Sequence, residues 1–249
     1  MITMIPTKSF ICKLTKDAGS IAYSNFYRSK KVSYKKKREV VTNIDKRIER
    51  FLVREIKRRF PDHSILAEEG HNKKTKSKYM WILDPIDGTE NYVHGFPHFC
   101  VSVVLLKDGD PILDAAYDPV KKHLFFAKKG KGAFLNNQRI NVSTCKRIKD
   151  SLVEISESDK SKAGIKTIYN LIKKTDRIRC AGSTALSLSY VAAGWLDCRF
   201  KTTIGKFDVA GGALIVREAG GVVKDFRGCE WKLGKHMIAT NKYLIKQFL

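Results

Sequence analysis

At 249 residues the chain is long enough for one large domain or two units sharing an interface, and its 43% hydrophobic content is normal for a globular protein that buries most of its surface. The charge is not balanced: 48 Lys+Arg against 25 Asp+Glu leaves +23, which favours phosphorylated metabolites, nucleic acid or an acidic membrane surface as partners. Six cysteines without a C-x-x-C pair argue against a zinc site and a secreted disulfide framework, and each is expected to be small buried filler. No signal-peptide apolar region and no membrane-length apolar segment is present, so a soluble, cytoplasmic protein is expected.

Apolar positions Phe10, Leu14, Ala18, Ile21 and Ala22 predict a first helix between about Thr7 and Ser29. The basic run Lys35-Lys36-Lys37-Arg38 follows. A second helix is predicted from the stripe Ile44, Ile48, Phe51, Leu52, Ile56 and Phe60, and Pro61 stops it. Thr42 with Asp45 three residues on has the form of a capping box. Asp45 is thus either a cap or a carboxylate at the mouth of a site.

Ser64 to Ala67 is a short strand delivering Glu68 and Glu69, of which an extended chain buries only one. The basic stretch His71 to Lys78 reads as a surface loop. Tyr79 to Leu83 is then a buried strand ending in Asp84-Pro85-Ile86-Asp87-Gly88-Thr89. Pro85 biases Asp84 towards an extended conformation, and Gly88 relieves crowding at the turn. Two carboxylates and the Ile86 carbonyl can converge there, which suits a hard cation. An acidic turn closing a strand is the plainer alternative.

Phe99 to Leu106, Pro111 to Tyr117 and His123 to Lys128 are expected to form an antiparallel meander. Strands at Leu152 to Ser156, Ile178 to Ala181, Leu196 to Lys201, Val222-Val223 and Met237 to Ala239 follow. They alternate with helices at Lys162 to Lys174, Ser183 to Ala193 and Asp208 to Ala219, an α/β layer. The division expected is residues 1–140, an α+β unit, and residues 141–249, an α/β unit, packed as one rigid body. The basic runs at 35–38, 73–78, 121–122 and 128–131 lack interleaved aromatics and read as solvated faces. Weak binding to polyanions at low salt is expected of them, without a specific nucleic-acid site and without a membrane partner.

Glu68-Glu69, Asp84-Pro85-Ile86-Asp87-Gly88-Thr89-Glu90-Asn91-Tyr92 and Phe207-Asp208-Val209-Ala210-Gly211-Gly212 with Glu218-Ala219-Gly220-Gly221 share an order and spacing. From about Val40 to Asn241 the chain closely resembles the inositol monophosphatase family of magnesium-dependent sugar phosphatases. The resemblance implies a layered αβαβα sandwich with the site between its halves, and a homodimer. It implies that Glu68, Asp84, Asp87, Asp208 and the Ile86 carbonyl hold two or three Mg²⁺ ions. An all-oxygen set suits that ion, and no soft ligand is present.

It further implies that Gly88 and Thr89 meet the phosphate, and that Thr89 with Asp45 activates the water attacking phosphorus in line. Glu68 joins them as a catalytic residue. Gly182-Ser183-Thr184 resembles the substrate-contacting turn, with Ser183, Thr184 and nearby Arg179 as candidate contacts. His94 and His98 read as structural or pocket-edge residues. Seven residues before Asp208 the chain carries Lys201 where animal-type members have a glutamate. An ammonium there favours a second anionic group on the substrate. Phe207 replaces the usual tryptophan, and the lysine of the metal-influencing loop falls ambiguously among Lys35, Lys36 and Lys37.

The reading expected is hydrolysis of small sugar or cyclitol phosphates, both inositol 1-phosphate and fructose 1,6-bisphosphate. A phosphatase acting on 3′-phosphoadenosine 5′-phosphate or another nucleotide is the runner-up. A basic nucleic-acid-binding protein with a vestigial site is the alternative of another class.

Overall fold

Two long helices open the chain in the computed structural model, which describes residues 5–34, 40–155, 162–175, 177–202, 211–232 and 236–249. Helix α1 (Lys8–Phe26) starts where the Thr7 hydroxyl accepts the Phe10 N–H at 3.2 Å, and it buries Ile11, Leu14, Ala18, Ala22 and Phe26. A short antiparallel ribbon, β1 (Val32–Tyr34) with β2 (Val40–Thr42), leads into α2 (Asn43–Arg59). Helix α2 buries Ile44, Ile48, Leu52, Val53 and Ile56. Its exposed face is crowded with cations, whose i,i+3 and i,i+4 repulsions cost a few tenths of a kcal/mol per pair. Burying each apolar side chain is worth about 2 kcal/mol, so packing decides the helix.

Strand β3 (Ser64–Ala67) pairs parallel with β4 (Tyr79–Asp87). After the short α3 (Thr89–Val93), five strands run as an antiparallel meander: β5 (Cys100–Lys107), β6 (Asp110–Asp118), β7 (His123–Lys128), β8 (Gly132–Leu135) and β9 (Gln138–Ile140). The last hairpin was not expected. Asn136 and Asn137, both at positive φ, form its two-residue turn. Strand β4 also outruns its expected end at Leu83. Between Asp84, opposite Ser102, and Asp87, opposite Cys100, the register shifts by one residue. This bulge accommodates Pro85, which has no ladder N–H to donate.

The later strands are β10 (Val153–Ile155), β11 (Ile178–Arg179), β12 (Cys198–Lys201), β13 (Val222–Lys224) and β14 (Met237–Thr240). They form a mixed sheet in the order β11-β10-β12-β14-β13. Helices α4 (Lys162–Ile172), α5 (Thr184–Ala192), α6 (Ala213–Glu218) and α7 (Ile245–Phe248) accompany it.

Three apolar clusters define the layers. The first joins α1 and α2 to one face of the seven-stranded sheet, through Trp81, Val103 and Leu105 among others. The second joins its other face, through Cys100, Ala116 and Phe125, to α5 and α6 and on to Met237 and Ala239. The third covers the outer face of the smaller sheet with α4 and α7. The order is therefore αβαβα, the layered sandwich expected. Among the described residues no helix is long and apolar enough to cross a membrane.

The seam between the sheets carries a buried acid. Asp114 on β6, fully buried, accepts the Gly212 N–H at 2.8 Å at the start of α6. Burial pushes its carboxyl up to about 7, against the lowering by the backbone N–H groups of Gly212, Ile215 and Leu214. A folded-state pKa raised above the unfolded value means that the folded chain holds the extra proton between about pH 4 and 7. Asp114 therefore favours folding at acid pH, and that contribution is lost as pH rises through 7. In chemical unfolding at pH 5 and pH 8, Asp114→Asn is expected to gain roughly 3 kcal/mol relative to the parent across that interval. A constant difference at the two pH values contradicts this assignment.

Candidate active site

Helix α2 aims two acids inward. Thr42 and Asp45 form the capping box: the Thr42 hydroxyl accepts the Ile44 and Asp45 N–H groups, while Asp45 Oδ2 accepts the Thr42 N–H at 2.9 Å and the Thr42 hydroxyl. Asp45 Oδ1 remains for another partner and accepts the Thr89 hydroxyl at 3.3 Å. The same hydroxyl lies 2.9 Å from the Ile86 carbonyl, so its single proton serves one acceptor at a time. Asp45 thus caps α2 and also reaches Thr89. Burial raises its carboxyl above the usual range, and the hydrogen bonds from Thr42 and Thr89 oppose that shift.

One helical turn later comes Glu49, fully buried and not foreseen from the sequence. Its Oε2 accepts the Glu69 N–H at 2.5 Å, and its Oε1 meets the His71 N–H at 3.1 Å and His71 Nδ1 at 2.6 Å. The Glu68 N–H is held in turn by the Leu83 carbonyl at 3.2 Å. The Glu68 turn is therefore fastened to α2 on one side and to β4 on the other. Glu68 and Glu69 are both half-buried, so the expected split into one buried and one exposed acid is not observed. The available signal for Glu49 was its spacing of four from Asp45 on the apolar face of α2.

Asp84 and Asp87 lie at the carboxyl end of β4, 4% and 6% exposed. Asp87 reaches across to the other sheet's layer and caps α5. Its Oδ1 accepts the Thr184 N–H at 3.0 Å, and its Oδ2 accepts the Ala185 N–H at 2.7 Å and the Ser183 hydroxyl at 2.5 Å. The carboxylate meets the positive end of that helix and satisfies N–H groups with no intrahelical partner. Gly88 has φ +97°, and a Cβ there would stand 3.0 Å from the His98 carbonyl and 3.3 Å from Ser183 Cβ. Only glycine allows the two layers to close at this point. Asn91 adds a tie by donating to the carbonyls of His98 and Ala181 at 2.8 and 2.7 Å.

Lys201, at the end of β12 and 6% exposed, donates to the Thr184 hydroxyl at 2.6 Å. Thr184 thus links Lys201 to Asp87. Behind them the buried Arg199 meets Glu154 at 3.1 Å, and the Ser187 hydroxyl donates to the same carboxylate at 2.5 Å. Ser183 and Thr184 are buried at the site. Arg179 is not drawn in: it is exposed, with its guanidinium folded onto the Ile178 carbonyl at 2.9 Å. His98 is buried against Tyr190, and burial lowers its pKa. Asp208, Phe207 and Lys35 to Lys37 lie outside the described residues.

Among the described residues no three His, Cys, Asp or Glu side chains form a ready metal cage. Asp87 is turned towards α5, and the second-motif aspartate is not among them. The donors expected from the sequence, Glu68, Asp84, Asp87 and the Ile86 carbonyl, are all oxygens. Their chemistry fits a hard divalent cation such as Mg²⁺.

Comparison with known proteins identifies the family. The family model described as "Inositol monophosphatase family" matches residues 5–248. Inositol monophosphatase 3 of Solanum lycopersicum is 39% identical over 245 residues, covering 94% of this chain and 91% of that protein. The protein named Nus factor SuhB of Xylella fastidiosa is 37% identical over 231 residues, 90% of this chain and 84% of its own. The solved structure of an IMPase from Thermotoga maritima has a TM-score of 0.89 at 37% identity, covering 96% of this chain and 94% of that one. A family match over nearly the whole chain, with the layered fold in common, places this protein in the inositol monophosphatase family of phosphatases.

Proposed function

We propose that the protein hydrolyses small sugar and cyclitol phosphates, acting on both inositol 1-phosphate and fructose 1,6-bisphosphate. The observation that carries this reading is the Lys201–Thr184–Asp87 link, a buried ammonium beside the acid expected to hold metal. A positive charge there suits a second phosphate better than a bare ring hydroxyl.

Glu68, Asp84, Asp87, Asp208 and the Ile86 carbonyl are the groups that would hold Mg²⁺. When bound, the ion supplies Lewis acidity at the phosphate and lowers the pKa of water. Asp45 and Thr89 handle the proton. The Thr89 oxygen takes a proton from the attacking water as its own proton passes to Asp45 Oδ1, the acceptor that competes with the Ile86 carbonyl for it. Gly88 and Thr89 receive the phosphate, while Ser183, Thr184 and Lys201 contact the remainder of the substrate. Arg179 would have to swing from Ile178 to join them. Glu49 acts by positioning the Glu68 turn. The working unit is a homodimer.

A nucleotide substrate is the second reading, favoured by two solved relatives: one from Staphylococcus aureus described as 2′-AMP-bound, and one described as an IMPase/NADP phosphatase complexed with Mg²⁺ and phosphate. The same S. aureus protein is also described with inositol monophosphate bound.

A phosphate-release panel over inositol 1-phosphate, fructose 1,6-bisphosphate and 2′-AMP separates the readings. Turnover of the first two with Mg²⁺, abolished by EDTA, is expected; far faster turnover of the nucleotide overturns the ranking, and no turnover at all points to a vestigial site. Asp84→Asn is expected to be nearly inactive, and Thr89→Ala to lose about 10²–10⁴ in kcat. Lys201→Glu is expected to lower kcat/KM for the bisphosphate by about 10–100-fold, the worth of one charge-assisted contact, and to affect the monophosphate less. Equal losses show that Lys201 does not select the substrate.

A further inference from the structure

The outward face of α2 has a character that no run in the sequence displays. Every exposed position from Lys46 to Arg59 is a lysine or an arginine. The apolar side chains and the acids Asp45 and Glu49 are turned inward, and Glu55, half-buried, is engaged by Arg54 at 3.2 Å and Arg58 at 2.7 Å. Folding thus sorts one helix into an apolar inner face carrying two acids and a cationic outer face.

This face is not a plain convex surface. Two cavities of about 380 and 410 Å³ lie along the groove between α1 and α2, and Phe51 lines both. Arg47, Arg50 and Arg54 line one of them; Lys13, Arg58 and Arg59 line the other together with Asp17 and Glu55, which pair with Lys13 and Arg58 at 2.7 Å each. The Arg54 guanidinium sits over the Phe51 ring at 5.7 Å, and Arg59 over Phe10 at 5.2 Å. Half-buried rings flanked by guanidinium groups suit flat bases, and guanidinium groups suit phosphate oxygens in a paired geometry. From Arg47 to Arg58 the helix rises about 16 Å, enough to meet several successive phosphates. An acidic membrane would instead call for fully exposed apolar side chains to insert, and from Lys46 to Arg59 α2 exposes only lysine and arginine.

We propose that the α1–α2 groove binds the backbone of single-stranded nucleic acid without sequence preference. It does so on a face of α2 turned away from Asp45 and Glu49, so an occupied groove leaves the active site open. The inference is independent of the substrate assigned to that site.

The experiment is fluorescence anisotropy of a labelled oligouridine strand across a potassium chloride series, with unfolding curves run beside each variant. R47Q/R50Q/R54Q is expected to weaken binding at low salt by roughly tenfold or more. It should also reduce the slope of log K against log salt by about 2, since each lost phosphate contact on a single strand removes about 0.7. The matched variant K128Q/K129Q/K131Q, which removes three exposed lysines elsewhere, is expected to change the slope by less than about half as much. Mg²⁺-dependent phosphate release is expected to be unchanged in both. Should the triple variant unfold, R50Q alone carries the test with an expected slope change of about 0.7. Equal losses in the two triple variants reduce the effect to diffuse charge and overturn the proposal. So does arginine-dependent binding to phosphatidylserine vesicles without binding to the oligonucleotide.

Discussion

The carboxylate of Asp87 is the group on which both layers of the site depend. It leaves the end of β4, crosses the seam and takes the first N–H groups of α5 together with the Ser183 hydroxyl. A buried charge is tolerable only when its lone pairs are filled, and here the open end of a helix fills them. One residue on, Gly88 permits the approach that the bond requires, because any Cβ would press on the His98 carbonyl. The bulge at Pro85-Ile86 delivers both. Local backbone chemistry at five successive residues therefore sets how two sheets meet.

Helix α2 makes a second constraint of the same kind. Asp45 and Glu49 are four residues apart on the buried, mainly aliphatic face of α2. Asp45 is satisfied by Thr42 and Thr89, Glu49 by Glu69 and His71. Each acid thereby fastens a loop of the site to a rigid rod. The strength of these bonds comes from burial: out of water, a carboxylate with backbone donors gains more than it would on the surface. The outer face of the rod is free of that demand, and its charges stay solvated.

Much of this was open to reading from the chain alone. The stripe of α2, the meander, the acidic end of β4 and the alternation of the later elements follow from local period and turn chemistry. The cap at Thr42–Asp45 was visible as a spacing, although its second bond to Thr89 was not, since 44 residues separate the partners. The β8–β9 hairpin escaped because two asparagines at positive φ replaced the usual glycine signal. The strand end at Leu83 was set too early because Pro85 normally breaks a strand, and a bulge was needed to keep it. Arg179, close in sequence to Ser183 and Thr184, points elsewhere.

By itself the sequence determined the chemistry on offer: carboxylates placed after two strands, a hydroxyl nearby, and an excess of cations. Those properties belong to residue types and short spacings, and they survive any detail of packing. Tertiary structure decided the rest. It turned Asp87 onto α5, set Lys201 against Thr184, recruited Glu49 to the Glu68 turn and gathered scattered arginines into one groove. Each of these is a pairing of a charge with a distant partner, and the identity of that partner is fixed only when burial removes water as the alternative.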